Sequence, residues 1–230
     1  MSKKTIAVNG CSYTQELYLQ PENRWSNLIG CGINLAHGGG SNDRIFHTTI
    51  EYINQNSVDT LVIGWTDPNR AMCYSSKGSR IIITPGHTFD EQLGTTEYDI
   101  NKFYYKNLHN SFIAFQNTLN YMIHLQEHCR LKSIKLLYWN ARLPNLNEQL
   151  LFELSTQAFM SKIDKNTEIQ GIKYNKTILE KLIAQLDKDI WIKEFWYGID
   201  THCKDFPWRD DGHVGEEGSA HWADLVKTYL

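Results

Sequence analysis

A serine lies at the carboxyl end of the first apolar segment of the chain. The stretch IAVNGCS passes from apolar residues 6–8 to small polar residues, which places Ser12 where a strand would leave the core. Two interpretations are open: a plain turn, or a nucleophile held at the edge of a sheet. A serine hydroxyl becomes an effective nucleophile only when a base takes its proton, so the second interpretation requires a partner from elsewhere in the chain.

Polar residues also cluster after the other predicted strands. The clusters occupy residues 9–12, 34–42, 66–70, 140–142 and 210–213. In an open parallel sheet, ligands bind in the crevice at the carboxyl ends of the strands. Loops are polar in most proteins, but the recurrence of such clusters at strand ends favours a binding or catalytic site along this edge.

The elements that would position these residues alternate along the chain. Apolar runs predict strands at residues 4–8, 32–36, 59–65, 133–139 and 189–196. Helical spacing of apolar residues predicts helices at 22–29, 42–55, 101–128, 150–159, 178–186 and 215–230. The run DTLVIGW at 59–65 is the clearest strand, because a near-continuous apolar run is typical of a strand covered on both faces.

This alternation predicts an α/β fold. We expect a three-layer α/β/α sandwich with a mainly parallel, flavodoxin-like sheet of about five strands. The sequence contains no internal repeat, low-complexity tract or linker, so one domain is predicted over residues 1–230. Residues 70–98 are predicted to form an irregular insertion with one strand at 81–84, followed by the turn residues Pro85 and Gly86.

Several short blocks resemble those of a known family. Gly10-Cys11-Ser12-Tyr13-Thr14, the segments NLAHGGGSND and VIGWTDPNR, and the pair Asp210-x-x-His213 occur in one order along the chain. Together they resemble the SGNH hydrolases, also called GDSL esterases, and most closely a group often encoded by bacteriophages. Each block is weak alone, but their order and their places after predicted strands make the resemblance more specific.

The resemblance implies a serine hydrolase that cleaves acyl or acetyl esters, with a carbohydrate ester as one candidate substrate. In such enzymes Ser12 would be the nucleophile, His213 the general base, and Asp210 the residue that orients the imidazole ring. Asp211 is a competing orienter, and an aspartate before a helix also occurs simply as a cap. Cys11 is a less favoured nucleophile, because it precedes the strand tip and is expected to point into the fold.

The resemblance also implies donors for the negative charge that develops on a substrate carbonyl oxygen. The backbone N–H groups of Ser12 and Gly39 correspond to two of them, with Gly38 and Gly40 as close alternatives to Gly39. The third donor is usually an asparagine side chain, but Thr66 occupies that position here. Either Asn42 or the Thr66 hydroxyl, which has a shorter reach, is expected to replace it; Asn42 is favoured, although a plain helix cap is the alternative interpretation of Asn42. Losing such a donor typically lowers the rate by about 10²- to 10³-fold.

This departure keeps two other hypotheses open. One is a glycan- or ligand-binding module that has the fold but no turnover, and the other is an acyltransferase that uses the same acyl-enzyme. Three residues after the predicted strands are candidates for substrate binding: Arg70, Asn140 and Arg142. For the two arginines, a solvated loop position is the default interpretation.

Composition and charge argue against a nucleic-acid-binding protein and against a membrane protein. A net charge of −3 with no stripe of Lys or Arg argues against a nucleic-acid partner. The apolar runs are far shorter than the roughly 20 residues that span a bilayer, so no membrane contact is expected. The segment MSKKTIAVNG lacks the apolar stretch of a signal peptide, so a cytoplasmic location is expected, or the host cytoplasm for a phage protein.

The cysteine and histidine pattern predicts neither a disulfide frame nor a metal site. Five scattered cysteines fit free thiols in a reducing compartment. Several potential ligands crowd the C-terminal region without a tight zinc spacing: His202, Cys203, Asp210, His213 and His221. We therefore expect no metal and no cofactor, and a small-molecule or glycan ester as the partner. The sequence leaves the oligomeric state open.

Overall fold

The structure is a computed structural model of the chain. It describes residues 4–74, 80–84, 95–141, 143, 177–194 and 197–230. The predicted helix at 150–159 and the candidate Arg142 lie outside the described residues.

A four-stranded sheet in the order β2-β1-β3-β6 forms the centre of the fold. Its strands are β1 (Ile6–Asn9), β2 (Ile33–Asn34), β3 (Thr60–Trp65) and β6 (Lys135–Asn140). All three pairings are parallel, and their register places Asn9 beside Ile63 and Trp65 beside Asn140. The carboxyl ends of the strands therefore meet at one edge, where the polar clusters begin.

Alternate strand residues supply two separate apolar cores. Leu61 and Ile63 face one core, whereas Val62 belongs to the other. Every residue of β3 is buried, as expected for a strand covered on both faces. Burying one such aliphatic side chain contributes about 1.5–3 kcal/mol, so each face of the sheet is held by several comparable contributions.

Helices cover both faces. They are α1 (Ser12–Gln15), α2 (Trp25–Leu28), α3 (Asn42–Gln55), α4 (Thr95–Asn107), α5 (Ser111–Leu131), α6 (Ile199–His202) and α7 (Glu216–Lys227). The helices α3 and α5 pack together over one face, and α2 and α7 pack together over the other. The predicted α/β class, with a parallel sheet between helical layers, is confirmed. No helix in the described ranges is long and apolar enough to cross a membrane.

The helix predicted at 101–128 is two helices, α4 and α5. The chain breaks between them because the Asn110 side chain caps α5 by accepting a hydrogen bond from the backbone N–H of Ile113 at 2.9 Å. The apolar spacing continues through this break, so periodicity alone does not show it.

The prediction of a strand at residues 189–196 was wrong for residues 189–194, which the structure describes. Residues Lys188–Ile190 form a 3₁₀ turn, because the Asp187 side chain accepts a hydrogen bond from the N–H of Asp189. Two isolated parallel bridges join this part of the chain to β6, one from Trp191 to Tyr138 and one from Gly198 to Asn140. The described sheet therefore has four strands, and its fifth position is reduced to these two bridges.

The insertion predicted as mostly irregular contains a β-hairpin. Its strands β4 (Ala71–Tyr74) and β5 (Arg80–Ile83) pair antiparallel, with Met72 opposite Ile82. Only the second of these strands was predicted, because AMCY is short and lacks an alternating pattern. The hairpin follows β3 directly and lies at the same edge as the polar clusters.

Candidate active site

The loop after β1 is shaped to present Ser12. The buried Asn9 side chain donates to Ile45 O at 3.1 Å and accepts from the N–H of Gly10 at 2.8 Å, which fixes the strand end. A Cβ atom at Gly10 would lie 2.1 Å from Thr14 Oγ1, so only glycine fits there. The chain then enters α1, and Ser12 is its first residue. Cys11 is fully buried and belongs to the apolar core, as its sequence position led us to expect.

His213 reaches this serine from the opposite end of the chain. Its Nε2 atom lies 2.9 Å from Ser12 Oγ, across 201 sequence positions. His213 stands in a short loop closed by an antiparallel bridge between Trp208 and Val214, just before α7. Hydrogen-bond distance to an imidazole nitrogen is the arrangement in which a base can take the serine proton.

Two tyrosine rings hold the imidazole in place. The rings of Tyr13 and Tyr18 lie with their centroids 4.9 and 4.5 Å from that of His213. The Tyr13 hydroxyl also donates to Gly212 O at 2.9 Å, beside the histidine. The residue next to Ser12 therefore fixes both the ring and the loop that carries it.

Asp211, rather than the predicted Asp210, lies beside the histidine ring. Its Oδ1 atom is 3.3 Å from His213 Nδ1 and accepts the backbone N–H of His213 at 3.1 Å. Asp210 is exposed, and its side chain makes no hydrogen bond or ion pair with any residue in the described ranges. The reason is local: the turn at Gly212, with a φ of +77°, brings the carboxylate two residues before the histidine back onto it.

The contact between Asp211 and the ring is electrostatic in this structure. Although the two atoms are 3.3 Å apart, Nδ1 is buried and has no hydrogen-bond partner among the described residues. Slight desolvation raises the pKa of Asp211, but hydrogen bonds from the His213 backbone and Arg209 outweigh it, and the net shift is downward. The carboxylate is therefore ionised near neutral pH, and such contacts often tighten only when substrate is bound.

Two backbone N–H groups in the loops after β1 and β2 have no acceptor among the described residues. The N–H groups of Ser12 and Gly39 donate to no acceptor among the described residues. Gly38 N–H, in contrast, donates to Gln15 Oε1 at 2.6 Å, and Gly40 N–H donates to His37 O at 2.8 Å. Because unpaired backbone N–H groups are rare, the geometry favours Gly39 over its two neighbours as an oxyanion donor.

The Asn42 side chain is already engaged elsewhere. Its amide donates to Thr66 O at 2.8 Å and to Thr118 Oγ1 at 3.1 Å, and its Oδ1 accepts from Thr66 N at 2.9 Å. Both amide hydrogens are therefore used, so the expected replacement of the missing asparagine by Asn42 does not fit this geometry. The Thr66 hydroxyl is buried and has no hydrogen-bond partner within the described residues.

The predicted substrate-binding residues have different surroundings. Arg70 lines a cavity of about 110 Å³ together with Tyr104 and Tyr121. The buried Asn140 side chain accepts from Leu143 N at 2.6 Å, so it closes the turn after β6.

Sequence reasoning missed three residues near Ser12. Tyr13 and Tyr18 looked like ordinary core residues, because nothing in the sequence places the histidine ring between them. Glu16 is fully buried at the end of α1, and burial raises its pKa to about 8. Its only sequence signal is a charged residue close to an apolar segment, which is common on protein surfaces.

No family model matches this chain, and no curated protein sequence matches it. Solved structures with a similar layout include the psychrotrophic esterase EstA from Pseudoalteromonas sp., at 10% identity and a TM-score of 0.48, with 99% of each chain covered. A second is the acetyl xylan esterase AlAXEase, at 14% identity and a TM-score of 0.47, with 98% of this chain and 99% of that chain covered. A third is a GDSL-like lipase from Bacteroides thetaiotaomicron, at 12% identity and a TM-score of 0.48, with 98% of this chain and 86% of that chain covered. At these identities and TM-scores, the likeness carries no argument about the reaction of this chain.

Proposed function

We propose that this protein is a serine hydrolase that cleaves carboxylic esters through an acyl-enzyme on Ser12. The observation that carries the proposal is the 2.9 Å contact between Ser12 Oγ and His213 Nε2. Two backbone N–H groups without acceptors among the described residues, after the neighbouring strands β1 and β2, support it, since acyl transfer needs donors for a developing oxyanion. A plain turn would explain the serine alone, but it would not explain these three features together.

In the first half of the reaction, His213 Nε2 takes the proton of Ser12 as Oγ bonds to the ester carbonyl carbon. The carbonyl π electrons move to oxygen, and the Ser12 and Gly39 N–H groups stabilise the resulting anion. The proton gives the imidazole a positive charge that the Asp211 carboxylate offsets from the Nδ1 side. The tetrahedral species then collapses, the C–O bond to the alcohol breaks, and the leaving oxygen takes the proton from Nε2.

The second half repeats these steps with water. His213 Nε2 takes a proton from a water molecule as the water oxygen bonds to the acyl carbon. The tetrahedral species then collapses, the bond from the acyl carbon to Ser12 Oγ breaks, and Oγ takes that proton from Nε2. The carboxylic acid leaves and the free enzyme is restored. We assign the third oxyanion donor to the Thr66 hydroxyl, which has no hydrogen-bond partner within the described residues and would rotate from its buried position toward the substrate oxygen.

The engaged Asn42 amide supports one second candidate function. If Thr66 cannot reach the oxyanion, the site lacks a donor whose loss lowers rates by about 10²- to 10³-fold. A glycan- or ligand-binding module on the same fold would then account for the site. Tight glycan binding, with no turnover of any ester and no reaction with a fluorophosphonate, would favour this alternative.

The alcohol part of the substrate defines two further alternatives. In the first alternative the substrate is an ester of a carbohydrate, so that the alcohol is a sugar hydroxyl. Faster hydrolysis of acetylated xylan than of p-nitrophenyl acetate would support it. An acyltransferase would use the same acyl-enzyme but pass the acyl group to a hydroxyl other than water. Transfer to an added sugar that exceeds hydrolysis would identify this reaction.

The main test compares hydrolysis of p-nitrophenyl acetate and butyrate by three proteins. We expect the wild type and Ser57→Ala, which removes an exposed serine, to have equal activity. We expect Ser12→Ala to lose about 10³-fold or more, because the acyl-enzyme cannot form. Equal activity in wild type and Ser12→Ala would overturn the proposal.

A further inference from the structure

A cavity of about 170 Å³ lies between the glycine-rich loop after β2 and the β4–β5 hairpin. Gly39 and Gly40 form one wall, and the hairpin residues Ala71, Met72 and Ile82 form the opposite wall. The proposed steps of acyl transfer assign no substrate group to this space.

The cavity shares a wall with the site that carries Ser12. Gly39, whose N–H is the second oxyanion donor in our proposal, lines it directly. Gly40 packs against the serine loop so closely that a Cβ atom there would lie 3.2 Å from Gly10 O and 3.7 Å from Cys11 Cα. Gly39 therefore belongs both to the lining of this cavity and, in our proposal, to the oxyanion site.

The lining suits an apolar group. Ala71, Met72 and Ile82 present aliphatic or thioether side chains, and the two glycines add backbone only. The polar residues of the lining, His37, Ser41 and Arg44, already make hydrogen bonds within the protein. A ligand therefore gains most by placing hydrocarbon there, since each buried methylene contributes a favourable transfer free energy.

We propose that this cavity binds the acyl chain of the ester and limits the substrate to short chains of up to about six carbons. The inference rests on the proposed ester hydrolysis and adds the acyl specificity. An engineered apolar cavity of about 150 Å³ binds benzene, a six-carbon molecule, so a cavity of similar volume accommodates a butyryl or hexanoyl chain. Longer chains would meet the hairpin.

The hairpin sets this limit mainly through Ile82. A Cβ atom on Gly39 would lie 3.1 Å from Ile82 Cγ2, so this side chain packs directly against the glycine that carries the proposed oxyanion donor. Met72 pairs with Ile82 across the hairpin and lies on the same face. Ile81 is the adjacent residue of the same strand and points to the opposite face, which makes it a matched control position.

The experiment measures kcat/KM for p-nitrophenyl acetate, butyrate, hexanoate and dodecanoate. For the wild type we expect a rise of about fourfold per methylene, on the order of 10²-fold from acetate to hexanoate, and a fall for dodecanoate. Ile82→Trp should lower the hexanoate-to-acetate ratio by about tenfold or more, because the indole fills the cavity. Ile81→Trp should leave that ratio within about twofold.

A second variant and a binding measurement complete the test. Ile82→Ala enlarges the cavity and should move the preference to longer chains, which keeps the test valid if Ile82→Trp does not fold. Benzene should shift the Met72 methyl signal in NMR spectra of the wild type and not of Ile82→Trp.

The outcomes separate this inference from the proposed function. Two results would overturn the acyl assignment alone, provided that hydrolysis depends on Ser12. One is a kcat/KM that does not vary with chain length. The other is a chain-length profile that changes equally in Ile82→Trp and Ile81→Trp. Benzene binding without hydrolysis of any ester would overturn the proposed function and, with it, the acyl role of the cavity.

Discussion

Glu16 should make the stability of the fold depend on pH. Its side chain is fully buried at the end of α1, where Oε2 accepts the N–H of Trp25 at 2.7 Å. Burial raises the pKa of Glu16 to about 8, while Ser219, the Trp25 N–H and the charge of Arg24 act in the opposite direction. The Ser219 hydroxyl is near the carboxyl but makes no well-formed hydrogen bond with Oε1.

The sign of the effect follows from the raised pKa. The unfolded chain releases the Glu16 proton near the ordinary glutamate pKa of 4.5, whereas the native protein retains it until about 8. This contribution to stability is fully present below the unfolded pKa and is lost as pH rises through the folded pKa. At about 1.4 kcal/mol per pH unit, the free energy of unfolding should fall by about 3 kcal/mol between about pH 5 and pH 7.5.

Urea unfolding of Glu16→Gln across this pH range tests the effect. Glutamine can accept the Trp25 N–H but has no proton to lose. The fall of about 3 kcal/mol in the free energy of unfolding between about pH 5 and pH 7.5 should therefore be absent in Glu16→Gln, to within about 1 kcal/mol. Glu22→Gln, at an exposed position, is the matched control and should keep the wild-type slope. Parallel stability profiles for wild type and Glu16→Gln would refute the reasoning, because they would mean that Glu16 does not bind its proton more tightly in the folded state.

Three further outcomes are expected. Asp211→Asn should lower kcat for a p-nitrophenyl ester by about 10- to 10²-fold, less than for a buried triad carboxylate, while Asp210→Asn stays within about twofold. An equal effect of the two changes would contradict the assignment of Asp211. Asn42→Ala should lower the free energy of unfolding by about 2–4 kcal/mol in urea, because it leaves the buried Thr66 N–H and C=O without partners. A fully stable variant with a loss of activity would instead assign Asn42 to the oxyanion. Tyr13→Phe should lower kcat about tenfold with little change in KM, since it removes the hydrogen bond that holds the histidine loop; a change in KM alone would contradict this positioning role.

The sequence predicted the positions at which the central elements meet. Short apolar runs located β1, β3 and β6 to within a few residues, because these strands are buried on both faces and show the strongest signal. The ordered blocks also predicted that Ser12 and His213 would share a site, and the structure places their side chains 2.9 Å apart. Ser12 follows the carboxyl end of β1, and the loop before α7 brings His213 to this edge of the sheet.

The finer contacts were decided by forces that a sequence pattern does not display. The turn at Gly212 directs Asp211 rather than Asp210 to the histidine, which depends on the backbone conformation of a single residue. Asn42 looked available as a donor, but its amide closes onto Thr66 and Thr118 on two other elements. Such long-range hydrogen bonds appear only when the packing of the helices is known.

The most direct measurement of the central claim is the site of covalent modification by a fluorophosphonate. The probe reacts with a serine whose proton is taken by a neighbouring base, so the adduct reports the pairing of Ser12 with His213 in solution. We predict an adduct on Ser12, found by peptide mass spectrometry, and at least about a 10²-fold slower reaction in His213→Ala. An adduct on another residue, or equal labelling of wild type and His213→Ala, would contradict the account.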